Sequence, residues 1–295
     1  MRKAVLPGGC TTLAKSGRLE GRLSNHTKTM KNKPSILALA GIALIATAHA
    51  EETKPLKALL ITGGCCHDYA TQKGILKKGI EARANIIVDQ IHTDNKTVKP
   101  DLPIYGVPEY ANGYDVVIHD ECAAGITDVE IIAGVLAPHK AGTPGVNLHC
   151  AMHSYRFGDF KKPVEAGAAN ASWYEYLGLQ STGHGPQKPI DIVHTDKEHP
   201  ITKGLADWTT ENEELYNNVK VFDTAHVLAK GKQGDQETVV TWTNDYKGTK
   251  VFNTTIGHNN VTVEDARYLD LVTRGLLWAC GKLDEKGAIA EGYAK

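Results

Sequence analysis

The chain has 295 residues, with 33 Lys and Arg against 34 Asp and Glu, 41% hydrophobic residues and six cysteines. Residues 1–50 hold eight of the basic residues and one of the acids, so the remainder carries 25 against 33, a formal net of −8. An acidic body without a basic cluster excludes nucleic acid and anionic membrane as partners, and the sparse cysteines exclude a small disulfide-stapled scaffold.

Residues 1–29 are basic and lack hydrophobic periodicity, and they read as an upstream extension outside the mature protein. Residues 30–50 follow the pattern of a secretory signal peptide. Basic Met30-Lys31-Asn32-Lys33 precedes the apolar run Ile36–Ala46, and Ala48-His49-Ala50 offers the small residues a signal peptidase reads. The run is short for a bilayer span, so a periplasmic or secreted protein with no stable membrane insertion after cleavage is expected. Five cysteines remain beyond the leader: Cys65, Cys66, Cys122, Cys150 and Cys280. In an oxidising compartment Cys122 is expected to face Cys65 or Cys66, leaving Cys150 as a thiol.

Residues 51–283 are predicted to form one domain, followed by a loose polar tail over residues 284–295. Lys57–Gly64 reads as a first strand broken by paired glycines, with a helix from Ala70 to Ala84 and a second strand over Ile86–Ile91. Asp115–His119 makes a third strand, ending at Asp120-Glu121-Cys122. Thr127 stands at the capping position of a helix running through Leu136, with Glu130 completing a capping box. Pro144–Leu148 is a fourth, buried strand that runs straight into a helix at His149-Cys150. Trp173–Leu177 ends a helix at Gly178. Four further strands are expected over Pro189–His194, Ala225–Ala229, Glu237–Thr243 and Lys250–Thr255. Val263–Cys280 then reads as one amphipathic helix stopped by Gly281.

Short apolar strands alternating with helical stretches predict an α/β fold, a mainly parallel sheet with helices on both faces. The carboxyl ends of the first, third and fourth strands should therefore lie side by side, where such sheets meet their ligands. Those ends carry Cys65-Cys66-His67-Asp68, Asp120-Glu121-Cys122 and His149-Cys150, and Gly257-His258 follows the last strand. His67, His149, His153, His184 and His258 all follow strands or sit in glycine-flanked loops. Imidazoles suit proton transfer near neutral pH, and His67, His149 and His258 could hold a divalent metal such as zinc. Asp68 is expected to cap its helix or meet substrate, and Asp120 or Glu121 to orient His67 or His149. Arg156 is expected to pair with Asp159, and one of Trp173, Trp208 and Trp242 could stack on a sugar. The segment Gly63-Gly64-Cys65-Cys66-His67 lacks the third glycine of a dinucleotide fingerprint.

Gly63-Gly64-Cys65-Cys66-His67-Asp68, Leu148-His149-Cys150-Ala151, Glu198–Leu205, Glu213-Glu214-Leu215-Tyr216-Asn217-Asn218 and Val251–His258 together resemble the ThuA-like, or trehalose-utilisation, family. The resemblance runs in order through the whole body of the chain. It implies a three-layer flavodoxin-like sheet of the class I glutamine amidotransferase-like kind, and a role in carbohydrate catabolism on a sugar or 3-keto-sugar. Some members of the family hold a metal. Glu214 and Tyr216 match a recurrent motif of that family, where a tyrosine beside an acid suits sugar hydroxyls. Catalysis is then expected from His67, His149, Cys150 and His258, with Asp68, His153, His184, Glu214 and Tyr216 on the substrate. Two other readings stay open: a hydrolase using Cys150 as nucleophile, and a carbohydrate-binding domain without catalysis. An amidase is disfavoured, because the neighbours of Cys150 are not glycine and His199-Pro200 is followed by Ile201 rather than Glu.

Overall fold

The structure, a computed structural model, describes residues 53–295; the expected extension and signal peptide lie outside the described residues. In chain order the elements are β1 (Leu56–Gly64), α1 (Tyr69–Glu81), β2 (Ile86–Thr93), β3 (Val116–Cys122), α2 (Val129–Lys140) and β4 (Gly145–Leu148). A tight 3₁₀ turn over His149–His153 leads to α3 (Ser172–Leu177), β5 (Leu179–Lys188), β6 (Asp191–His194), β7 (Trp208–Thr209) and β8 (Glu213–Val221). The chain closes with β9 (Ala225–Gln233), β10 (Gln236–Tyr246), β11 (Thr249–Thr254), α4 (Asn260–Glu264) and α5 (Ala266–Ala279).

Among the described residues these strands make a nine-stranded sheet in the order β2-β1-β3-β4-β11-β10-β9-β6-β7, and a two-stranded sheet of β5 and β8. The first five strands are parallel to one another. From β10 onward the pairing is antiparallel. The 2-1-3-4 order is that of the flavodoxin-like sheet, which reverses between β1 and β3 and opens a crevice at their carboxyl ends.

Alternation along each strand feeds two apolar layers. Ala58 and Leu60 enter a core with Leu76 and Ile80 of α1 and Val272 and Leu276 of α5. Leu59 and Ile61 enter another with Ile132 and Val135 of α2 and Trp173 and Leu177 of α3. Burial on both faces is why these parallel strands read as continuous apolar runs. Among the described residues no helix is long and apolar enough to cross a membrane.

Local corrections follow from side-chain hydrogen bonding. Asp128, not Thr127, caps α2, its carboxylate accepting from the backbone N–H groups of Glu130 and Ile131 at 2.9 and 3.4 Å. The expected single last helix is two, because Asp265 interrupts it and caps α5 by accepting from Arg267 N at 2.8 Å. The tail is docked rather than loose. Asn85 Nδ2 donates to the Gly292 carbonyl at 2.9 Å, Asn85 N donates to that of Tyr293 at 2.8 Å, and Ile289 and Tyr293 pack on the core.

Candidate functional site

Each group in the crevice is placed by its strand end. Gly64 leaves β1 with φ 100°, and a Cβ there would lie 2.2 Å from the Cys122 carbonyl oxygen, so only glycine lets β1 end against β3. Beyond it, His67 Nδ1 lies 3.2 Å from the His258 carbonyl. A carbonyl only accepts, so Nδ1 carries the proton and Nε2 keeps a free lone pair. His149 leaves β4 with φ 41°, and its Nδ1 donates to the Thr255 carbonyl at 2.6 Å, which fixes the same tautomer. His258 follows β11, which runs parallel to β4 and so delivers its end to the same edge. The buried Glu213 carboxylate holds that loop by accepting from His258 N at 3.0 Å and Gly257 N at 3.3 Å.

The centre of the site comes from the second sheet. Glu214 on β8 is only 5% exposed. Its Oε2 lies 3.6 Å from His149 Nε2 and 3.5 Å from His184 Nε2, and its Oε1 lies 3.3 Å from His258 Nδ1. Gln187 Nε2 donates to it at 3.2 Å. The His67 ring sits edge-on to those of His149 and His258, at 4.6 and 4.8 Å between centroids. Burial alone would raise the Glu214 carboxyl, but contacts with His149 and His258 overturn this and hold it well below the usual range. Glu214 in turn raises His258 above the ordinary histidine value. Burial, reinforced by the charges of His149 and His258, lowers His67 to about 3.

These residues fit a divalent metal. One ring nitrogen from each of His67, His149 and His258 lies within 4.8 Å of the others, and His149 Nε2 and His258 Nδ1 are buried with no neighbour but the Glu214 carboxylate to satisfy them. Backbone carbonyls on the far nitrogens of His67 and His149 orient metal-ligating imidazoles in the usual way. Three imidazoles beside a carboxylate are the donor set of a catalytic zinc site.

The sequence matches the ThuA family, described as trehalose utilisation, over residues 57–279. The chain belongs to this family. A crystal structure of a ThuA-like protein from Parabacteroides merdae superposes with a TM-score of 0.59 at 21% identity, covering 82% of this chain and 97% of that one. A protein of Thermoplasma acidophilum described as one chain of a GMP synthase gives 0.43 at 10% identity, with 78% and 96% covered. The glutaminase domain of a CTP synthase from Trypanosoma brucei, bound to acivicin, gives 0.43 at 11%, with 81% and 100% covered. No curated protein matches the sequence.

In this ThuA-family chain a crevice of about 590 Å³ is lined by His67, His153, His184, Glu214, Tyr216 and His258, among others. His149 is 1% exposed and stands behind that wall, touching Glu214 and His67, so it positions rather than lines. His153 stacks on Tyr216 at 4.2 Å and meets Ser181 Oγ at 3.0 Å. Asp68 caps α1, accepting from Thr71 N at 3.4 Å, and faces an adjoining recess of about 670 Å³ rather than the inner crevice.

Other expectations are corrected. Glu121 turns away from the crevice and is fully buried, accepting from Tyr155 Oη at 2.7 Å and lying 2.8 Å from His119 Nδ1. Asp120 is buried with Oδ2 unpartnered, and Glu214 supplies the carboxylate that it was expected to provide. Arg156 stacks on Phe160 at 4.3 Å and donates to the Thr182 carbonyl at 3.4 Å, while Asp159 pairs with Lys162. Trp173 and Trp242 are fully buried in the core and Trp208 is 8% exposed, and none of the three lines the crevice. Cys65 bonds to Cys66, not to Cys122. Cys150 Sγ has Cys122 Sγ as its hydrogen-bond partner at 2.7 Å, and this contact together with burial keeps its thiol well above its ordinary value. Among the described residues no imidazole hydrogen-bonds that sulfur to activate it. Sequence reasoning missed Glu213, Gln187 and Thr255. Strand alternation could not have found Glu213, because it turns a neighbour of Glu214 the other way, yet both acids are buried and both hold the His258 loop.

Proposed function

We propose that the protein is an exported enzyme of carbohydrate catabolism that acts on a sugar or 3-keto-sugar by histidine acid–base chemistry. One observation carries the reading: three imidazoles and a buried carboxylate, brought from separate strand ends, drive the protonation of two neighbouring histidines in opposite directions. Environments that split like groups assign the acid and the base. His67 is neutral with Nε2 free and serves as the base, taking a proton from a carbon next to a ketone. His258, protonated against Glu214, serves as the acid toward a developing oxyanion or a departing glycosidic oxygen. His149 and Glu213 hold the other two in register. A divalent cation held by His67, His149 and His258 would take up the lone pairs this acid–base pair uses, so it would stand in its place: it would supply Lewis-acid polarisation of the carbonyl and leave Glu214 beside it as the base.

The test is turnover of a 3-keto disaccharide by His67→Ala and His258→Ala, each expected to lose about 10²- to 10⁴-fold in kcat. Elemental analysis of the purified protein decides whether metal is bound. Unchanged turnover in both variants would remove the two histidines from catalysis, and binding of the sugar without any turnover by the wild type would leave a carbohydrate-binding domain.

A further inference from the structure

Four sulfurs line the same crevice and the acid–base reading uses none of them. They run from the mouth inward. Cys66 is exposed, Cys65 is half-buried, and Cys122 and Cys150 are 3% and 6% exposed. Cys65 and Cys66 are joined, while Cys122 and Cys150 are free thiols. Cys122 Sγ lies 3.5 Å from Cys65 Sγ and 2.7 Å from Cys150 Sγ, and one sulfur from each of Cys65, Cys66 and Cys122 falls within 4.8 Å of the others. A disulfide with a thiol within reach, and a second thiol behind the first, is the arrangement thiol–disulfide exchange requires. Cys280 stands apart, against the Asp115 carbonyl.

We propose that Cys65, Cys66, Cys122 and Cys150 form a thiol–disulfide exchange site whose ligand is a low-molecular-weight thiol or disulfide entering the crevice. Cys122, as thiolate, attacks Cys65 Sγ. The Cys65–Cys66 bond breaks, its electron pair goes to Cys66, and Cys66 takes up the proton that Cys122 released. Cys150 then gives up its proton and attacks Cys122 Sγ. The Cys65–Cys122 bond breaks, and Cys65 departs with the electron pair and takes up that proton. One disulfide has replaced another with no net oxidation. The Cys65–Cys66 dithiol now at the mouth reduces an incoming small disulfide to two thiols and re-forms its own bond. The protein then stores two disulfides, and two small thiols reverse the last step.

The experiment titrates fully reduced protein with oxidised glutathione, quenches with acid and N-ethylmaleimide, and maps the cysteine peptides by mass spectrometry. Wild type is expected to consume two equivalents, and at one equivalent to show both the Cys65–Cys66 and the Cys122–Cys150 pair. Cys122→Ser is expected to consume one equivalent, form only Cys65–Cys66 and leave Cys150 alkylated. Wild type that stops at one equivalent, with Cys122 and Cys150 both alkylated after unfolding, overturns the proposal. Cys280 should be alkylated throughout. No sugar turnover is read, so the result stands apart from the acid–base reading.

Discussion

His67 and His258 carry the same side chain and titrate in opposite directions, because one is buried among imidazoles and the other faces a carboxylate. The sign of the pH dependence follows. If protonated His258 is the working acid, activity falls as pH rises through its pKa, which Glu214 holds above the ordinary 6.5. Glu214→Gln removes the charge that favours the imidazolium, so the alkaline limb of the kcat/KM profile should move to lower pH by about one unit or more. A limb that stays in place would mean that Glu214 does not set it. Both histidines stand out in the sequence as residues following strand ends. Their division of labour does not, since it depends on Glu214 arriving from β8.

At the scale of elements, capping decides boundaries that periodicity leaves open. Thr127 and Asp128 both suit a helix start, but the Asp128 carboxylate reaches two N–H groups of the first turn. Asp128→Ala should therefore cost about 1 kcal/mol in urea denaturation, and Thr127→Ala only a few tenths. The tail behaves as an element too. Polar composition makes residues 284–295 read as loose, yet Ala294 bridges to Ala84 and Leu283 to Ile289. Deleting residues 288–295 exposes the apolar surface under Ile289 and Tyr293 and frees both Asn85 bonds. The expected loss is roughly 2–4 kcal/mol, visible as a lower Tm. An unchanged Tm would return the tail to the loose state that its composition suggests. The second sheet, β5 and β8, escaped sequence reading because its strands mix Glu, Asn, His and Gly, and it sends only Leu179, Leu215 and Tyr216 into the apolar core while the rest folds over the site.

Over the whole molecule, buried histidines make stability fall in acid. His119, His139 and Glu121 form a chain sealed between α2 and the sheet, with His119 Nε2 3.1 Å from His139 Nε2 and His139 Nδ1 donating to the Thr143 carbonyl at 2.8 Å. That bond fixes His139 Nε2 as an acceptor, facing the His119 ring and the Tyr176 hydroxyl. Burial, then the charge of His119, lowers His139 to about 3. Between pH 6.5 and about 3 the unfolded chain therefore binds a proton that the folded chain does not. Stability is intact above that window and declines as pH falls through it, at up to about 1.4 kcal/mol per pH unit for this one group. His67 adds to the loss in the same direction. Urea denaturation from about pH 7 down to about pH 4.5 should show the slope, and His139→Gln should flatten it. A flat wild-type profile would rule this account out.

What the sequence by itself determined was the layered sheet, the neighbouring carboxyl ends of β1, β3 and β4, and the family, because strand and helix periodicities are local and the glycines at Gly63-Gly64 and Gly257 mark where strands must stop. Tertiary structure alone decided which carboxylate serves the histidines, which cysteines are joined, and that His149 stands behind the wall instead of in it. Those outcomes turn on distances between segments far apart in the chain, where one strand's twist or one left-handed residue moves a side chain by several ångströms. Nothing local to Glu214 records that three imidazoles will be waiting for it.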